Sequence, residues 1–157
     1  MDHLLGGALG AILAFVFSLP AIFLEYTSGG TVQEPPLVMN VKTIFGYTLK
    51  RREVFLVGLL IHIVMGFLFA FSYVLFVERE WLFAGYAPYT FFSLLVYSVM
   101  SWLAANLLVY PVLGMGFFAK KEGSRVWLET LLAHLLLGVS IWLLVHYYQP
   151  SYFMPTL

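Results

Sequence analysis

The chain has 157 residues, of which 62% are hydrophobic and only 10% charged, with a formal net charge of zero and no cysteine; its mean hydropathy is +0.92. A water-soluble domain carries about a quarter charged residues, so this composition excludes one and points to an integral membrane protein. The balanced charge leaves no basic field to attract nucleic acid, and the absent cysteines exclude disulfides, thiolate metal sites, iron–sulfur clusters and a cysteine nucleophile.

The first apolar run extends from about Leu4 to Leu24. The MDHLLGG start has an acid and no Lys or Arg, so it lacks the positive region of a secretory signal and is expected to remain as a first spanning helix. A spanning helix needs about 20 mostly apolar residues; three further runs meet that requirement, at about 54–77, 89–110 and 126–148. Their length and continuity favour helices over the short alternating strands of a membrane barrel. Pro20 and Pro111 lie near the expected ends of helices one and three, Pro88 opens helix three, and the Glu53 carboxylate suits the first turn of helix two.

Between helices one and two, the loop from Glu25 to Arg52 contains the turn-forming TSGG and EPP runs and then VMNVKTIFGY, which reads as a short interfacial helix or strand, or as a docking surface. Lys42, Lys50, Arg51 and Arg52 lie in this loop. Lys120, Lys121 and Arg125 lie between helices three and four, whereas Arg79 alone marks the opposite side. The positive-inside rule places both basic loops in the cytoplasm and both termini outside. Gly114 and Gly116 in PVLGMGFFAKK read as a helix exit and turn, because no strand precedes them and the third glycine of a nucleotide loop is missing. The aromatic residues Trp81, Tyr86, Tyr89, Tyr147, Tyr148 and Tyr152 are expected at the outer membrane boundary, and Tyr26, Tyr47, Tyr110 and Trp127 at the inner one. The closing QPSYFMPTL is apolar and carries no lipidation motif.

Two of the four runs share a phrase. VFLVGLLIHIVMG (54–66) and VWLETLLAHLLLG (126–138) align without a gap, matching at Val54/Val126, Leu56/Leu128, Leu59/Leu131, Leu60/Leu132, His62/His134 and Gly66/Gly138. Ala14 precedes Pro20 by the same interval as Ala105 precedes Pro111. A duplicated helical hairpin accounts for these matches, with repeat halves at about 1–77 and 88–148 within a single transmembrane domain of residues 1–157, and with an insertion in the first linker. Each histidine then lies about nine residues into its helix, roughly 13 Å from the cytoplasmic end. Stripes of small or polar residues at four-residue spacing (Gly6, Gly10, Ala14; Gly58, His62, Gly66, Ala70; Thr130, His134, Gly138) let backbones approach closely and are expected to face the bundle interior.

Several chemistries compete for His62 and His134. Paired histidines, each with a glycine one turn away (Gly66, Gly138), resemble the cytochrome-b pattern. There imidazoles ligate haem iron and glycine leaves room for the macrocycle. A metal site has no obvious third ligand: Glu129 points to a different face, and only Asn106 approaches from helix three. A proton or ion path through Glu129, His134, His62, Asn106 and Ser72 is a third reading. The simplest is interhelical hydrogen bonding worth about 1 kcal/mol or less, in which case no cofactor and no metal are expected. No nucleophile elbow, zincin helix or intramembrane carboxylate pair is present, so no enzymatic activity is expected.

The stretch from Pro111 to Gly138, a proline–glycine helix exit followed by a short basic turn and a His-x-x-x-Gly helix, resembles small four-helix bacterial inner-membrane proteins of uncharacterised function. That resemblance implies a fold and a prokaryotic plasma membrane, and no chemistry. Small extramembrane loops, no catalytic set and an abundance of apolar surface lead to the expectation of an accessory or scaffolding subunit. It would contact lipid and either other subunits or copies of itself, with respiratory or photosynthetic complexes as the analogous setting. A b-type haem electron-transfer protein and a small transporter or proton-path component are the alternatives.

Overall fold

The computed structural model describes residues 2–29 and 37–148; the EPP run, Tyr152 and QPSYFMPTL fall outside them. Four helices are long and apolar enough to cross a membrane: His3–Ser28, Glu53–Glu78, Phe91–Val112 and Val126–Tyr147, with mean hydropathy of 2.3, 2.6, 1.8 and 2.0. They form an all-α four-helix bundle, and the protein is an integral membrane protein in which lipid faces the exposed Leu, Ile and Phe side chains.

Helix α1 (His3–Ser28) is capped by the Asp2 carboxylate, which accepts the Leu4 N–H. It runs four residues beyond the expected Leu24, with Pro20 inside it. The missing proline N–H breaks one rung of the ladder without ending the helix, as membrane helices tolerate. A short hairpin follows, pairing β1 (Thr43–Ile44) with β2 (Tyr47–Thr48) in the register Thr43↔Thr48 and Ile44↔Tyr47. Its two turn residues, Phe45 and Gly46, both have positive φ, the geometry whose twist suits a two-residue hairpin.

Helix α2 (Arg51–Glu78) begins with Glu53 accepting the Lys50 N–H at 2.9 Å, the role its first-turn position suggests. At the other end His3 lies 3.4 Å from Glu78, so α1 and α2 are antiparallel. The outer connection contains a short helix, α3 (Leu82–Tyr86). The third span then starts at Phe91, later than Pro88, because the Thr90 hydroxyl accepts the Ser93 N–H and caps α4 (Phe91–Ala104). This span widens into a π-helical segment (Ala105–Val109) before a final α-helical turn, α5 (Tyr110–Val112). Pro111 explains the widening: it has no N–H to give the preceding turn, and its ring crowds that turn's carbonyl. A 3₁₀ turn at Phe117–Ala119 leads to α6 (Val126–Tyr148). Gly114 and Gly116 take φ of +87° and +78°, values that turn the chain sharply at little cost only for glycine.

Helices α1 and α2 meet at small residues, in the manner the stripes predict. A Cβ on Gly10 would overlap the Gly66 carbonyl and Ala70, and one on Gly66 would overlap Ala14. Helix α2 also packs on the third span through aromatic residues in the outer half. Tyr73 and Tyr97 have ring centroids 4.9 Å apart, and Phe69 and Tyr97 5.0 Å. Helix α6 closes the bundle against the third span, where Gly138 seats on Ser98 and Leu94.

The described part of the long loop divides: its hairpin is short and exposed, with Phe45 62% and Tyr47 76% accessible, whereas the segment before it is buried. Val38 and Val41 are fully buried and Met39 nearly so, and the Met39 carbonyl rests on Gly58 at a point where any Cβ would collide with it. Leu37 to Lys42 therefore enters the basic end of the bundle as a plug. Glu122, only 3% exposed, holds it: the carboxylate accepts the Lys42 N–H and the Thr43 hydroxyl, while Lys42 Nζ donates to the Glu122 carbonyl at 2.8 Å. Phe45 N–H donates to the Leu113 carbonyl at 2.6 Å. The two basic loops are thus one interlocked unit. Glu122→Ala leaves two donors without an acceptor and should destabilise the protein by about 2 kcal/mol, read as a lower thermal midpoint in detergent, with Glu122→Gln intermediate. An unchanged midpoint for Glu122→Ala would show that the interlock does not support the fold.

Candidate two-histidine cavity

The repeated phrase brings His62 and His134 to one place. Both imidazoles line a single cavity of about 30 Å³ together with Leu37 and Met39 of the plug, Gly58, Ile61, Met65 and Gly66 of α2, Tyr110 of the third span, and Thr130, Ala133 and Leu137 of α6. A water needs some 10–15 Å³ of such space, so one or two waters fit.

The two rings meet different partners. Nδ1 of His134 lies 2.7 Å from the Thr130 carbonyl, one turn earlier on its own helix. His62 approaches the backbone of Ala14, across the α1–α2 contact. A carbonyl only accepts, so in the neutral His134 ring the proton sits on Nδ1. Its Nε2 then carries a bare lone pair, and in both rings Nε2 is buried with no hydrogen-bond partner. His134 is 4% exposed, and Phe69 packs edge-on against it, with centroids 5.9 Å apart. Two residues lining one cavity thus each carry an unpartnered, buried ring nitrogen.

Gly66 and Gly138 do different work from that expected for a haem site. Gly66 is closed by Gly10 and Ala14, and Gly138 by Ser98 and Leu94. Both are positions where helices touch, and Gly66 also lines the cavity with the two histidines. The two glycines also meet their hairpin partners at different levels. If Ala14 matches Ala105, the Ser98 contact corresponds to Gly7, about two turns from Ala14. The hairpins are alike in kind and offset in register.

Among the described residues, no three His, Cys, Asp or Glu side chains gather closely enough to hold a metal ion. Glu129 does not line the cavity. Neither does Asn106, whose side-chain N–H donates to the Trp102 carbonyl at 2.8 Å while its Oδ1 is buried without a partner.

The polar residues that sequence reasoning missed lie toward the outer end. The Tyr97 hydroxyl donates to the Phe69 carbonyl at 3.0 Å and pairs with Ser72 at 2.6 Å. Tyr73 pairs with Ser93 at 2.8 Å and accepts the Tyr89 N–H at 3.0 Å. Tyr89 and Tyr110, expected among the boundary anchors, are instead 6% and 3% exposed, and Tyr110 pairs with the Thr130 side chain. Tyr26, Tyr47, Tyr86 and Tyr147 are exposed, as anchors should be. An open recess bounded by Trp102, Phe118, Lys120 and Trp127 lies beside the basic loop.

The His134 tautomer is directly measurable. The His134 ring should carry its proton on Nδ1, giving a ¹⁵N spectrum with a protonated Nδ1 and a bare Nε2. An Nε2–H signal from His134 would contradict the hydrogen bonding described.

No curated protein and no solved structure matches the chain. One protein-family model does, over residues 31–146, which takes in the plug, both histidines and three of the four spans. The chain belongs to that family, described as a protein of unknown function, DUF2938.

Proposed function

We propose that the protein is an accessory subunit of a larger membrane complex in a prokaryotic plasma membrane, with the basic loops cytoplasmic and both termini outside. The observation that carries this reading is that the Leu37–Lys42 segment of the longest loop packs into the bundle. Val38, Met39 and Val41 are core residues, and the basic loops interlock at Glu122. Little of the described chain is left to act in the aqueous phase, and what the protein presents outward is the apolar flank of its helices. The inner polar groups largely serve helix-to-helix contacts: Tyr73 with Ser93, Tyr97 with Phe69, and Trp102 with Thr130 at 3.2 Å. Such bonds are worth about 1 kcal/mol each in a membrane and fix one packing without providing a reacting centre. Side-by-side packing of apolar helices with another subunit is the role this surface suits.

Orientation rests on the placement of Lys42, Lys120, Lys121 and Arg125 at one end and Arg79 with Glu78 and Glu80 at the other. A duplicated origin of the hairpins is supported by the shared His-x-x-x-Gly phrase and by both glycines seating the first helix of their own hairpin. The transport alternative is less well served. The plug covers the cavity at the basic end, and Phe69, Tyr73 and Tyr97 fill the bundle toward the outer end.

Extracted from its native membrane in mild detergent, the chain should travel with partner polypeptides at a constant whole-number ratio through two orthogonal separations. Recovery of fully folded protein as a lone 17.8 kDa chain in its micelle under the same conditions would contradict the subunit role.

A further inference from the structure

We propose that the two-histidine cavity binds one soft monovalent metal ion, copper(I) in chemical character, through Nε2 of His62 and His134 and the thioether sulfurs of Met39 and Met65. The inference is independent of the accessory role. Its first support is the pair of unpartnered ring nitrogens. Both Nε2 atoms are buried and unpartnered, and both histidines line the same cavity; Nδ1 of His134 lies 2.7 Å from the Thr130 carbonyl, the outer-shell arrangement that orients a metal-binding imidazole. Its second support is sulfur. Met65 lies on α2 one turn from His62, and Met39 arrives on the plug, and both residues line the cavity that the two histidines share.

The chemistry of this donor set selects the ion. Imidazole and thioether are neutral, the first a borderline ligand that suits copper and the second a soft one, and together they favour copper(I) over hard cations, which require oxygen ligands. No carboxylate lines the cavity, so none of the ion's charge is neutralised by a ligand. The cost of bringing an ion into a low-dielectric interior rises with the square of its charge, so a divalent zinc ion is penalised about fourfold more than a monovalent one. A bare ion is smaller than a water, and a cavity of about 30 Å³ accommodates it without moving a helix. Binding is by coordination alone: two nitrogen and two sulfur lone pairs are donated, and no proton has to leave, since a neutral imidazole already has one unprotonated ring nitrogen.

The test is anaerobic titration of the purified full-length protein in mild detergent with copper(I), against a chromophoric copper(I) chelator as competitor, with zinc(II) titrated in parallel. One copper(I) per chain is expected, with nitrogen and sulfur scatterers in its X-ray absorption spectrum. His62→Ala and His134→Ala should each abolish it. Met39→Leu and Met65→Leu keep volume and apolarity, so they should fold like the parent, checked by circular dichroism and elution volume. Each should still weaken binding by at least about tenfold, the lower bound for residues that merely support ligands. No copper retained by the folded parent chain would overturn the proposal. So would copper retained equally by the methionine variants, or zinc(II) held as tightly as copper(I).

Discussion

The contact between the Met39 carbonyl and Gly58 decides how the basic end of this protein is built. Non-helical backbone at membrane depth is tolerated only where protein surrounds it, and a side chain at position 58 would hold the Leu37–Lys42 segment away from α2. With glycine there, Val38 and Val41 enter the core, Met39 reaches the histidine cavity, and Lys42 comes within reach of Glu122. The loop that might have been a soluble appendage becomes a wall of the bundle. The roof of the cavity and the interlock of the two basic loops both depend on that one close approach.

A second constraint is the low polarity of the bundle interior. A buried polar group without a partner costs more there than its bond would gain, and the helices are arranged so that hydroxyls and ring nitrogens find carbonyls or one another. Ser18 donates to Phe15 at 2.6 Å and Ser98 to Leu94 at 2.7 Å, each within its own helix, while Tyr73 and Tyr97 reach across helices. Among the described residues, three buried side-chain atoms are left over: Asn106 Oδ1 and the two histidine Nε2 atoms. Two of the three belong to residues that line one cavity, and they come from the phrase that the sequence repeats. That coincidence separates His62 and His134 from His3 and His146, which sit near the outer ends of their helices.

Much of the architecture was legible in the residues. Long apolar runs announced four spans, the distribution of Lys and Arg announced which loops share an end, and the Gly6–Gly10–Ala14 stripe announced a close helix contact, which it makes with Gly66. The repeated histidines were legible as a pair, and they do meet. The plug was not legible, because an apolar segment such as VMNVK reads the same whether it lies on a membrane or inserts into a bundle; only the partners, Gly58 and Glu122, distinguish the two. The buried tyrosines escaped for a similar reason, since an aromatic ring near a helix end reads as a boundary anchor until a serine across the interface is seen to accept or donate. Glycines one turn from histidines suggested room for a cofactor, yet the same small side chain equally admits a neighbouring helix, which is what fills the space. Met39 went unnoticed because it belongs to the loop, and a search for ligands confined to the spans passes over it.

The burial of Leu37–Lys42 in the bundle can be measured with little ambiguity, because the chain has no native cysteine. A single cysteine at Val41, fully buried, is compared with one at Tyr47, 76% exposed on the adjoining hairpin, for reaction with a water-soluble maleimide in folded, detergent-solubilised protein. A plug held against Gly58 and Glu122 predicts rapid labelling at position 47 and strong protection at position 41, lost on denaturation. Equal labelling rates at the two positions in the folded protein would mean that the segment lies on the surface, and that the cavity is not closed in the way described.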